Sequence, residues 1–320
     1  MRSFSPCTAA PPARDGCRRP RWSRQGPIML GTDANKPVAD NRRIIDFFDA
    51  DYGWWKEVYA PALPRRFFSF EMRKRRELVV ELLNKYAATA DHPCILECGC
   101  GPGGILGAFA AHRCRLTGID INRRHLTQAR NEVGENVTWI QADVESLPFR
   151  DQSFDIVCCV GVLSYLREDE PAVAEISRVA KPGGVVIMAL PNWLMLGKIC
   201  DPYYYLVWMP LRAVRRLTCA IVAVPQRTQK FSAEMIRRYR PATIDMVYRR
   251  HGLTEVESCN VSFGPLTLWR REFLPLPFSM RFSDALFAMG KKKVFSFLRS
   301  ITNHWIACLV KTGNEKRRLS

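Results

Sequence analysis

Acids and glycines at the ends of apolar runs are the residues of this chain best placed to do chemistry. Cys94-Ile95-Leu96 runs into Glu97 and then into Cys98-Gly99-Cys100-Gly101-Pro102-Gly103-Gly104. Arg115–Ile119 ends in Asp120, Val137–Gln141 ends in Ala142-Asp143, and Phe154–Val160 ends in Gly161. A carboxylate at such a position can neutralise a cation or accept hydrogen bonds from hydroxyl and amino groups. A glycine turn lets the backbone close on a ligand, because no Cβ stands in the way.

Gly99-x-Gly101-x-x-Gly104, with Asp120 about twenty residues on, satisfies the dinucleotide fingerprint. On these residues alone, NAD and S-adenosylmethionine fit equally. Three further features separate them. Glu97, two residues before the first glycine, suits a cationic ligand and would repel a pyrophosphate. Asp143, followed by Val144-Glu145-Ser146-Leu147-Pro148-Phe149, stands where it can accept from an adenine amino group. Asp151-Gln152-Ser153-Phe154-Asp155-Ile156-Val157 leads to Gly161 and then to Lys181-Pro182-Gly183-Gly184.

Together these motifs resemble the class I S-adenosylmethionine-dependent methyltransferases, in particular the branch with the ubiquinone/menaquinone methyltransferases and many small-molecule enzymes. The resemblance is good over about residues 75–192 and loose elsewhere. It implies a doubly wound, Rossmann-like α/β sheet of seven strands whose last hairpin is antiparallel. S-adenosyl-L-methionine is the implied cofactor. Position by position, Gly99, Gly101 and Gly103 are expected to pass under its methionine part, with Glu97 near the amino end. Asp120 is expected on the ribose with Ile121 on the adenine, Asp143 on the adenine amino group with Val144 beside the ring, and Gly161 with Val162 near the sulfonium.

Members of this family often carry a histidine just after the fourth strand. Here that region reads Leu163-Ser164-Tyr165-Leu166, so Tyr165 is at most a positioning residue. His92, His112, His125, His251 and His304 show no pairing in sequence, and no general base is assigned. Methyl transfer needs alignment and exclusion of water more than acid–base help, unless the acceptor must lose a proton.

The elements that must hold these residues follow from hydrophobic periodicity. Strands over Cys94–Glu97, Arg115–Ile119, Val137–Gln141, Phe154–Val160 and Val185–Leu190 alternate with helices over 105–111, 124–132 and 170–179, which predicts a parallel sheet. A helix is expected over 71–88, with Leu78, Val79, Leu82, Leu83 and Tyr86 inward. Before it, Ile44, Ile45, Phe47, Phe48, Tyr52, Trp54, Trp55 and Tyr59 give short aromatic helices, read as packing or as a lid. Residues 231–250 are read as one or two helices. Leu253–Val261 and Trp305–Lys311 are read as the last two strands.

This organisation implies one methyltransferase domain over 41–320. Its core is about 75–191, with an inserted helical cap at about 192–250 and C-terminal strands with a basic segment over 251–320. Residues 1–40 are a basic, Pro-rich tail or an over-extended start with Met29 as initiator, with a transit peptide as the less favoured reading. The twelve cysteines are scattered and suit neither a zinc site nor a disulfide scaffold, so reduced thiols in a cytoplasmic protein are expected.

The net charge of +17 is concentrated outside the glycine-rich half. Tyr203–Leu211 beside Arg212, Arg215 and Arg216, and Phe282–Phe297 with Lys291, Lys292 and Lys293, combine aromatics with cations. Such segments suit a small or lipid-like acceptor (a quinone, polyketide or glycan intermediate) and peripheral membrane association. O-methylation is the expected reaction. A nucleic-acid methyltransferase is less favoured, since no recognised RNA-binding module is present. A non-catalytic S-adenosylmethionine-binding adaptor is also disfavoured, since it need not keep Glu97, Asp120 and Asp143 together.

Overall fold

The computed structural model describes residues 38–50, 64–109, 114–211, 213–214, 236–290 and 293–312. The tail over 1–37, Tyr52, Trp54, Trp55 and Tyr59, the 215–235 part of the cap, and Lys291 and Lys292 lie outside them.

Two helices, α1 (Val38–Ala50) and α2 (Phe67–Ala87), precede the sheet. Then come β1 (Cys94–Cys98), α3 (Gly104–Ala108), β2 (Arg115–Asp120), α4 (Arg123–Val133), β3 (Val137–Gln141), β4 (Phe154–Val160), α5 (Glu170–Val179) and β5 (Ala180–Pro191). Residues 192–250 contribute α6 (Leu196–Ile199), a wide helical turn over Tyr204–Trp208, and α7 (Pro241–Arg250). The chain ends with β6 (Leu253–Asn260), a small hairpin of β7 (Thr267–Leu268) and β8 (Arg271–Glu272), α8 (Leu276–Gly290), a 3-10 segment over Lys293–Ser300, and β9 (His304–Lys311).

The main sheet has seven strands in the order β3-β2-β1-β4-β5-β9-β6. β1 to β5 are parallel, and β9 inserts antiparallel between β5 and β6. Every residue of β1 is buried, as a strand covered by helices on both faces must be. Alternation across the pleat divides the core in two. Leu96, Val157, Met188, Trp305 and Ala307 face the layer of α5 and α7. Ile95, Ile156, Ile187, Ile306 and Cys308 face α2, α3 and α4.

Most sequence-derived bounds agree with the structure within a residue or two. Three differ. The helix after the glycine loop is α3, ending at Ala108. Lys181-Pro182-Gly183-Gly184 does not end an element before β5. It bulges out of the strand itself, between the pairs Phe154–Ala180 and Ile156–Val185. Of the helical stretch expected over 231–250, residues 236–240 are extended, with Tyr239 bridging to Asn192, and α7 begins only at Pro241. The proline pre-sets the first helical turn and keeps Arg240 extended.

The motif around Lys181 also explains how the loop after β3 is held. Arg178 donates to the carbonyls of Leu147 and Phe149 and to Glu175, whose carboxylate accepts from the Leu147 amide. Lys181 pairs with Asp155, which also accepts from the Cys94 amide at the start of β1.

Candidate active site

The strand order reverses between β1 and β4, and a crevice must open beyond the carboxyl ends of strands on either side of such a point. A cavity of about 750 Å³ lies there. Glu97, Gly99, Gly101, Asp120, Ile121, Asp143, Val144 and Gly161 all line it. Gly103 does not. It sits in the turn into α3, where an added Cβ would lie 2.8 Å from the Trp139 ring, so its smallness serves packing.

Glu97 ends β1, with only 2% of its surface exposed. Its Oε2 has no hydrogen-bond partner among the described residues. Burial pushes its carboxyl up to about 8. The Leu106 amide pulls back against this, and Asp120 pushes further in the same direction. A buried carboxylate with an open oxygen is a costly arrangement, which a cationic ligand relieves.

Asp120 ends β2 and organises the floor. Its Oδ2 accepts from the Gly101 amide at 2.8 Å and its Oδ1 from the Asn122 amide at 2.8 Å. Asn122 in turn caps α4, accepting from the Arg124 amide, and donates to Asp49 on α1. Asp143 follows β3, and its Oδ1 accepts from the Glu145 amide at 2.9 Å in a local turn. At Gly101, which lines the cavity, an added Cβ would meet nothing within 4 Å.

The aromatic face of α1 covers the cavity. Ile44, Ile45, Phe47 and Phe48 line it, and the Phe48 ring lies 5.1 Å from Tyr165 and 5.8 Å from His125. This is the packing expected of the segment, with its aromatic side chains also lining the cavity. Tyr165, read as at most a positioner, lines the same cavity and packs against Phe48.

Beyond Gly161 the lining becomes basic. Arg75 on α2 is 8% exposed, and its Nη1 would stand 2.9 Å from a Cβ at Gly161. Arg238 comes from the extended 236–240 segment. Its neighbours Arg237 and Tyr239 both bond to Asp169, which turns Arg238 to the other side and into the cavity. Burial lowers the Arg238 pKa, with Glu71 opposing.

Glu71, Asn303 and His304 complete this end. Glu71 Oε1 lies 2.7 Å from His304 Nδ1 and accepts from Ser262 Oγ at 2.7 Å. Burial would raise the Glu71 carboxyl, but His304, Ser262 and Asn303 outweigh it and hold the group below its usual range.

Sequence reasoning missed Glu71, Arg75, Arg238 and His304. The first two carry a readable signal. The buried stripe of α2 runs Phe67, Glu71, Arg75, Val79, Leu83, one residue per turn, and two charges on an inward stripe ask for a partner. His304 has no local signal, because its partner lies 233 positions away.

The comparisons with known proteins agree with this geometry. A family model described as a methyltransferase domain matches residues 96–188. The chain carries a class I S-adenosylmethionine-dependent methyltransferase domain. A ubiquinone biosynthesis O-methyltransferase of Aromatoleum aromaticum is 27% identical over 72% of the chain and 89% of its own length. A malonyl-[acyl-carrier protein] O-methyltransferase of Enterobacter lignolyticus is 33% identical over 29% of the chain, and the chain spans only 36% of that relative. Among solved structures, magnesium protoporphyrin IX methyltransferase from Synechocystis PCC 6803 matches 85% of the chain and all of its own, with a TM-score of 0.55 at 14% identity. That likeness places the methyltransferase domain in its fold.

Proposed function

We propose that the protein transfers a methyl group from S-adenosylmethionine to an oxygen of a small or lipid-like acceptor such as a quinone, polyketide or glycan intermediate. The observation that carries this reading is charge placement. Glu97 is buried with one oxygen unpartnered, in a cavity that the guanidinium-bearing Arg75 and Arg238 also line. The methionyl end of the cofactor is a zwitterion beside a sulfonium. Glu97 meets its ammonium group, and Arg75, which makes no hydrogen bond among the described residues, meets its carboxylate. Asp120 takes the ribose hydroxyls, Asp143 the adenine amino group, and Ile121 and Val144 pack against the adenine.

When bound, the cofactor supplies an already activated methyl electrophile. The chain's own residues then have three tasks: to fix the line of attack, to exclude water and to receive the acceptor. α1 closes the crevice with Ile44, Ile45, Phe47 and Phe48. Met195, Ile236 and Arg238, together with Asn303 and His304, line the acceptor end.

A lipid-like acceptor and peripheral membrane contact are supported by the exposed apolar surface of α8. Phe278, Phe282 and Met289 fall on one stripe of that helix and are exposed, Phe278 at 60%. No described helix is long and apolar enough to cross a membrane.

The deciding experiment is transfer of a labelled methyl group from S-adenosylmethionine into a small-molecule and lipid extract, with the product identified by mass. Label confined to water-soluble nucleic acid, or no transfer at all, removes this reading.

A further inference from the structure

We propose that His304 is the general base that takes the proton from the acceptor, and that Glu71 is its positioning residue. The inference rests on the methyl-transfer reading and names a proton acceptor for it, at the N-terminal end of β9.

The geometry is that of an oriented imidazole. Glu71 Oε1 and His304 Nδ1 are 2.7 Å apart, so Nδ1 carries the proton and donates it. That leaves the lone pair on Nε2, which makes no hydrogen bond among the described residues. Glu71 is itself fixed by Ser262 Oγ at 2.7 Å and by Asn303 Nδ2 at 3.4 Å, so the dyad is braced by β9 and the segment just after β6. Glu71, held ionised by His304, Ser262 and Asn303 against the cost of its burial, fixes the ring in place.

The position in the sheet suits the task. His304 opens β9 and pairs with Pro191 at the end of β5, and β5 lies beside β4, which ends at Gly161. Two strand spacings, about 10 Å of backbone, therefore separate Gly161 from His304. Both residues line the same cavity. An acceptor hydroxyl fits between them, with the electrophile on one side and Nε2 on the other.

The step balances without a further reactant. The acceptor O–H bond breaks and its proton passes to Nε2. The electron pair left on oxygen forms the new O–CH3 bond, and the S–CH3 pair stays on sulfur. The resulting imidazolium is stabilised by the Glu71 carboxylate and loses its proton to water when the product leaves. The charged groups that share this end of the cavity with the ring are Glu71 and Arg75 from α2 and Arg238 from the 236–240 segment, with Tyr204 acting on Arg238.

The test measures transfer from methyl-tritiated S-adenosylmethionine into the same extract, as a function of pH, beside calorimetry of S-adenosylmethionine binding. His304→Gln is expected to lower the rate by about 100-fold or more and to remove the acidic limb of the pH profile, with the cofactor Kd within about twofold. Free imidazole is expected to restore part of the rate to His304→Ala. Glu71→Gln is expected to lower the rate, and 15N resonances of the ring are expected to show loss of the fixed Nδ1–H tautomer. His304→Gln with a rate within about threefold of wild type, or with cofactor affinity lost in proportion to rate, overturns the proposal. Wild-type protein that binds no S-adenosylmethionine overturns the transfer reading instead, and calorimetry reports that separately from the tautomer of His304.

Discussion

The carboxylate of Asp120 holds the Gly101 amide at 2.8 Å, tying the end of β2 to the loop that leaves β1. One residue thus shapes the floor of the cavity and offers oxygens to a ligand above it. Asp120→Ala is expected to leave the buried Gly101 and Asn122 amides without acceptors, costing about 1–3 kcal/mol of stability for such groups, and to abolish measurable S-adenosylmethionine binding. Asp120→Asn is not a benign replacement, since its amide NH2 must face one of the two N–H donors. Thermal unfolding and calorimetry check both, and an Asp120→Ala protein that binds S-adenosylmethionine normally refutes the assignment.

Glu97 gives a prediction in pH. Its folded pKa, about 8, lies above the ordinary 4.5. A raised pKa contributes stability that is full below the unfolded value, so this contribution is present below about pH 4.5 and is lost as pH rises through about 8. A bound ammonium group favours the carboxylate, so binding near pH 7 is expected to release a proton. Calorimetry in two buffers of different ionisation enthalpy measures that release. Glu97→Gln is expected to eliminate it and to weaken binding roughly 10- to 150-fold, the loss of one charge-assisted hydrogen bond. Unchanged affinity with no proton release in wild type counts against Glu97 as the ammonium site.

Gly99 and Gly101 separate folding from binding. Both adopt positive φ, 69° and 52°. Alanine at either costs about 1–2 kcal/mol for the left-handed backbone. At Gly99 its Cβ would also overlap Val162 Cγ2, whereas at Gly101 it would meet nothing. Gly99→Ala is therefore expected to lower the melting temperature clearly more than Gly101→Ala. Gly101→Ala is expected to stay folded and to lose cofactor affinity, because the open space beside it belongs to the ligand. Equal loss of stability in the two variants removes this distinction.

The parts of the site legible in sequence share a cause. Glu97, Asp120, Asp143 and Gly161 each stand where an apolar strand stops, and the parallel topology brings strand ends to one edge. Local pattern therefore maps directly onto three-dimensional position. The acceptor end obeys no such rule. Glu71 and Arg75 continue the inward stripe of α2 toward its N-terminus, where charges stand in place of the apolar residues that mark it from Leu78 to Tyr86. His304 opens a strand that was legible, but its partner Glu71 lies 233 positions away on α2, and that contact carries no mark in the residues beside it. Arg238 depends on 236–240 being extended rather than helical, a state stabilised by Asp169 from the far side of α5's first turn.

The exposed stripe of α8 tests the lipid-facing part of the reading. Phe278 and Phe282 are one turn apart and both open to solvent, while Ser279 and Ser283 face inward, with Ser283 Oγ accepting from the Phe263 amide. Phe278, 60% exposed, stands mostly clear of the core, whereas Phe282, 37% exposed, is still partly packed, so the double replacement should cost some stability without unfolding the protein. Fully burying a Phe ring contributes about 1.5–3 kcal/mol, so losing both exposed ring faces should reduce partitioning by roughly tenfold or more. Flotation with anionic phospholipid vesicles is expected to carry the wild-type protein and to leave the Phe278→Asp, Phe282→Asp double variant largely in the dense fraction, while thermal unfolding shows it still folded. If the double variant floats as well as wild type, or if wild type does not float, α8 is not a membrane contact and the acceptor reaches the cavity from solution.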